Sequence, residues 1–215
     1  MAEAGGAQDD FTRLRAAFGT TDLVHSLFDR FPCALRFELG GDVWPISDPL
    51  RALRAIDRAR AIVATLWPDL TRVALVFVAL DAIDATALSD AAEAALRDCG
   101  LDPRALTYLG GAPLAARQDL PPPAPGLCAH SHLYRADGAA SAHRALWGAI
   151  CAETPMRPRL VGLHPVLVDL DRRIAAHAYD DRWMDVVAMN PGALDSLAND
   201  RASWLRDGYV KRGGV

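Results

Sequence analysis

The last third of the chain constrains the fold most. Val166–Leu170, Ile174–Tyr179 and Met184–Met189 are short apolar runs separated by the polar groups Asp171-Arg172-Arg173 and Asp180-Asp181-Arg182-Trp183. Short β-rich runs cut by small polar clusters predict strands joined by tight turns, a β-meander. Asn190-Pro191 then opens a last helix carrying Leu194, Leu197, Trp204 and Leu205, with Gly208 as its stop.

Upstream the pattern alternates between the two periodicities. Phe11, Leu14 and Phe18 share a helical face, and Asp22 is placed to cap a second helix with Val24, Leu27, Phe28 and Phe31. From Cys33 to Leu39 the period drops to two: Cys33, Leu35, Phe37 and Leu39 point one way, Arg36 and Glu38 the other. Gly40-Gly41-Asp42 turns the chain, and Asp48-Pro49 starts a helix that runs to Trp67 with Leu53, Ile56, Val63 and Leu66 inward. Arg72–Leu80 reads as an interior strand, Ala87–Cys99 as a helix stopped by Gly100, and Ala105–Leu109 as a short strand. Gly110–Gly126, with five prolines, reads as an exposed loop. Leu127–Tyr134 is a strand, and Asp137 caps a helix running to about Cys151. The expected architecture is one α+β domain over 11–208: a mixed or mainly antiparallel sheet with packed helices, ending in the meander and a covering helix. Residues 1–10 are expected to be disordered and 209–215 to form a tail.

Composition excludes more than it identifies. Half the residues are apolar, 51%, so a real core is available and disorder of the whole chain is not expected. The net charge of −4 argues against a duplex-binding protein, which needs a basic face. Cys33, Cys99, Cys128 and Cys151 never form a close pair, so neither a structural zinc nor a redox CxxC is expected. The acidic first ten residues do not resemble a secretory signal, and no apolar run is long enough to span a bilayer. The expected location is the cytoplasm, with no membrane association. No GxGxxG, phosphate loop, GxSxG elbow or HExxH occurs, and no cofactor is expected.

The candidate site is the turn Tyr179, Asp180, Asp181, Arg182, Trp183 and Asp185. Its carboxylates could hold Mg²⁺ or meet a basic partner, or they could serve their own turn amides while Arg182 neutralises them. Pairing Tyr179 with Met184 would put Asp185 on the face opposite His177 and Tyr179. His130 and His132, two residues apart on one strand face, are a weaker metal-ligand pair or polar residues on a wet face. Arg51, Arg54 and Arg58 form a helical stripe, read as a solvated face.

Tyr179-Asp180-Asp181-Arg182-Trp183-Met184-Asp185-Val186 resembles the YDDRG motif of a bacterial family catalogued as domain of unknown function 3885. Pro32–Gly40 (PCALRFELG) is similar to that family's amino-terminal strand, Arg58–Trp67 to its following helix, and Trp204-Leu205 matches its carboxy-terminal Trp-Leu pair. Trp183 stands where the family has glycine, so this turn cannot depend on a positive φ there. The resemblance implies an architecture and supplies no activity. The functional expectation is a non-catalytic intracellular protein, of immunity type for example, that presents the 180–185 turn to a protein partner. The alternatives are a metal-assisted hydrolase built on the aspartates, with Glu38 and Asp181 as a further carboxylate pair, and a purely structural module.

Overall fold

Alternation along β1 (Cys33–Glu38) decides which side of the sheet each side chain meets. Cys33, Leu35 and Phe37 enter one apolar cluster, and Ala34 enters the other. The same division holds in β2 (Ala74–Asp81), where Leu75 and Phe77 oppose Val76 and Val78. Both faces are therefore covered, which is why these strands are apolar almost throughout. The structure, a computed structural model, describes residues 3–20, 23, 27–41, 45, 47–70, 73–81, 87–113, 130–136 and 138–212.

The described strands form one sheet of eight, ordered β3-β4-β2-β5-β6-β7-β1-β8. The remaining members are β3 (Thr107–Pro113), β4 (His130–Ala136), β5 (Leu163–Asp169), β6 (Ile174–Ala178), β7 (Trp183–Ala188) and β8 (Leu205–Arg212). Every described pair is antiparallel, and β5, β6 and β7 are the predicted meander. One face is covered by α3 (Pro49–Leu66), α4 (Asp90–Asp98), α5 (Ala139–Ile150) and α6 (Asp195–Asp200), which contribute Ile62, Leu96, Leu146 and Leu197. The opposite face carries α1 (Glu3–Phe18) and the single turn α2 (Leu27–Arg30), through Leu14, Phe18, Leu27 and Phe28. The architecture is α+β, as the element pattern predicts.

Caps formed where short polar side chains preceded apolar periodicity. Asp48 accepts from the Leu50 amide at 2.9 Å ahead of Pro49, and Ser89 caps α4 through the Ala92 amide. Gly100 ends α4 at φ +71°.

Several boundaries differ from expectation. Helix α1 begins at Glu3, inside the segment expected to be disordered. Asp22 and Val24 lie outside the described residues, as do 114–126 of the predicted loop; residues 110–113 of that loop extend β3 instead. Gly138 occupies the N-cap of α5, and Asp137 lies outside the described residues. Leu53, expected inside, is 42% exposed. The last helix is the largest revision. It ends at Asp200, a 3-10 turn spans Ala202–Trp204, and Leu205–Arg212 become β8, which pairs with β1 and takes in most of the predicted tail. Val210 lies opposite Leu35 and covers the same core, so burial against an open sheet edge won over continued helical turns.

Candidate functional site

The 180–185 turn is the corner between β6 and β7, and its register sets its chemistry. The Tyr179 amide donates to the Trp183 carbonyl, so the loop has three residues and Trp183 is the first residue of β7. Ala178 faces Met184, and His177 faces Asp185. The expected pairing of Tyr179 with Met184 is thus off by one, and a one-residue slip turns every side chain to the other face. Asp185 shares the face of His177 and Tyr179, where the sequence reading separated them.

That face carries a row of polar side chains in the sheet interior. Asp185 is wholly buried and accepts from the Arg36 Nε at 2.7 Å, the Arg36 Nη2 at 3.0 Å and the Phe28 amide at 2.8 Å. The Tyr179 hydroxyl also donates to Asp185. A carboxylate bound by a bidentate guanidinium, an amide and a phenol has its acceptor sites filled. The hydrogen bond to Asp185 holds the Arg36 guanidinium even more firmly protonated than usual, and burial followed by the nearby Asp185 charge pushes the Tyr179 phenol up. Arg36 further lies over the rings of Phe28 and Tyr209, at 5.0 and 5.7 Å from their centroids. His177 packs edge-on against Tyr179 at 4.4 Å and against His164 at 5.9 Å, and burial lowers the His164 pKa. This row is an internal brace that joins α2, β1, β6 and β7.

The two aspartates of the loop turn inward as well, each to its own partner. Asp180 accepts from the Arg182 amide at 2.7 Å, the Trp183 amide at 3.3 Å and the Arg182 Nε at 2.8 Å. Asp181 is fully buried and paired with Arg51, which also donates to the Gly41 carbonyl at 3.0 Å. Its second oxygen, Oδ1, has no hydrogen-bond partner among the described residues. The approach that brings Arg51 to Asp181 depends on Gly40. A Cβ there would lie 2.6 Å from the Asp181 carbonyl oxygen and 2.8 Å from Arg51 Cγ, so no side chain fits without moving backbone.

The arginine stripe of α3 is therefore not a solvated face. Arg51 reaches Asp181, and Arg58 donates to the Glu38 carbonyl at 2.7 Å while lying over Trp204. Glu38 pairs with Arg206 at 2.7 Å, so Glu38 and Asp181 answer to different arginines. His132 is also corrected: it is buried, its Nδ1 3.3 Å from the Tyr108 hydroxyl, and its ring takes the space a Cβ on Gly111 would need. The side chain of His130 lies outside the described residues. Among the described residues no group of three His, Cys, Asp or Glu could hold a metal ion. None of the described helices is long and apolar enough to cross a membrane.

What the corner shows to solvent is different in kind. Arg182 is exposed and bridges to Glu153 at 2.9 Å. Half-buried Trp183 meets Tyr209 edge-on at 5.3 Å, and the Arg206 guanidinium lies 5.5 Å from the Trp183 ring. Trp183 needs no positive φ; among the described non-glycine residues only Arg173 has one. Sequence reasoning missed Arg36, Arg51 and Arg206 as members of the site. A signal was present for the first: Asp185 is the one charge in the otherwise apolar strand β7, and an interior charge needs a partner.

The model of the family described as Domain of unknown function (DUF3885) matches residues 11–208. No curated protein and no solved structure matches the chain. The family match takes in the β1 segment, the helix residues Arg58–Trp67, the charged corner and the Trp204-Leu205 pair, the places where the resemblance lay. The chain belongs to the domain-of-unknown-function family 3885.

Proposed function

We propose that this chain is a non-catalytic intracellular binding protein, and that its partner meets the outward rim of the charged corner. The aspartates serve as the brace and the rim as the contact. One observation carries the reading: the three carboxylates are each saturated or paired by guanidinium and amide groups, while half-buried Trp183 and Tyr209 pack together with the exposed Arg206, and Arg182 is exposed at the same turn. A tryptophan set edge-on against an aromatic neighbour with an arginine over its ring has the composition of an interface anchor. The partner that fits is a protein surface offering carboxylates around an apolar contact. A hydrolase built on the aspartates draws no support from this arrangement, because the carboxylates diverge to three different arginines.

The test is affinity capture from the source cell with the wild-type chain and a Trp183→Ser, Arg206→Glu double variant. The expected result is a stoichiometric partner that the variant loses while keeping its cooperative thermal transition. Retention of every partner by the folded double variant would overturn the reading.

A further inference from the structure

Beneath α1 the sheet face is not fully packed. A cavity of about 330 Å³ lies between that helix and strands β2, β3, β4 and β5. Its floor is apolar, built from Leu14, Val76, Leu109 and Val168, all buried members of the α1-side core. Its mouth is the opposite: Asp10 and Arg13 come from α1, Arg135 from β4 and Asp171 from the β5–β6 turn. These form a loose chain of pairs. Arg135 pairs with Asp10, Arg13 lies 3.6 Å from Asp10, and Arg13 lies 4.0 Å from Asp171. The outer members are open to water, Arg13 at 51% and Asp171 at 76%.

We propose that this cavity binds a small zwitterion with an apolar body, the class of the free hydrophobic amino acids. Pockets that take small ligands begin at about 300 Å³ and combine an apolar lining with a few placed polar groups. Here the polar groups are two cations and two anions around one opening. A ligand carrying one charge would take Arg135 or Asp10 from its partner, and in that inner pair, whose side chains are only 32% and 19% exposed, an unmatched charge is costly. A ligand carrying both charges exchanges partners instead: its carboxylate takes an arginine, its ammonium an aspartate, and no rim group is stranded. The weak, exposed outer pairs cost little to open. The apolar body then covers the floor and displaces its water. This inference is independent of the corner at Trp183, which lies across the sheet on β7.

The experiment uses the full chain with L-leucine, L-phenylalanine, isocaproate and isoamylamine, read by thermal shift and titration calorimetry. The expected result is a saturable rise in melting temperature with at least one of the amino acids, and binding of the two single-charge analogues weaker by about tenfold or more. Ala74→Leu places added volume in the cavity and is expected to abolish the shift without lowering the basal transition. Methyl spectra of the wild type supply a second readout, with perturbations expected at Val76, Leu109 and Val168. No saturable shift with either amino acid, an equal shift from isocaproate, or an undiminished shift in folded Ala74→Leu would each overturn the proposal. Should Ala74→Leu fail to fold, methyl perturbations confined to residues elsewhere would overturn it as well.

Discussion

The two hairpin turns of the meander are nearly the same in composition and opposite in burial. In the β5–β6 turn, Asp171 and Arg172 are exposed. The turn is pinned from the strand end, where Asp169 accepts from the Arg172 amide at 2.9 Å and from the Trp67 indole at 3.1 Å. In the β6–β7 turn, both Asp180 and Asp181 are buried and only Arg182 reaches solvent. The difference does not come from the turn residues. It comes from what reaches them: Arg51 arrives from the first turns of α3, over a glycine pair that allows the backbones to touch. Asp181 is buried because a distant arginine closes on it, whereas Asp171, with only the exposed Arg13 at 4.0 Å, stays on the surface.

Removing side chains tests that contrast in graded steps. Asp185→Ala strips the part-buried Arg36 of its partner and removes acceptors for the Phe28 amide and Tyr179; it is expected to cost about 3–5 kcal/mol in denaturant unfolding. Asp181→Ala should cost less, about 2–3 kcal/mol, because one of its oxygens makes no hydrogen bond among the described residues and Arg51 keeps the Gly41 carbonyl. Asp180→Ala loses two amide acceptors but leaves an exposed guanidinium free to hydrate, for about 1–2 kcal/mol. Asp171→Ala, in the other turn, should change stability by no more than about 0.5 kcal/mol. Equal losses at Asp171 and Asp181 would break the comparison; the predicted ranking sharpens it.

Much of the fold was legible, and what was not has identifiable causes. The meander strands, β1 with its two faces, and the Asp48-Pro49 start of α3 follow from period and cap chemistry, which are local. The register of β6 against β7 is not local in that sense. Reading Trp183 as turn rather than strand made the loop one residue too long, and that slip alone moved Asp185 to the wrong side. The carboxy-terminal strand was hidden because Trp204-Leu205 suits a helix face and a strand equally well. Only the vacant edge of β1 decides between them. The site was half visible: its six residues form one corner, but the arginines that define it come from segments 130 and 149 residues away. The stripe on α3 read as solvated because sequence shows which residues share a face, and not what that face meets.

The central claim is that the charged corner is spent inward, with Arg36 and Asp185 as its strongest link. A double-mutant cycle on Arg36→Met and Asp185→Leu, followed by urea unfolding, tests it most directly. The account predicts that the double variant loses less than the sum of the single losses, with a coupling of at least about 2 kcal/mol. Losses that add to within about 0.5 kcal/mol would mean the two charges act independently, and the brace would not exist.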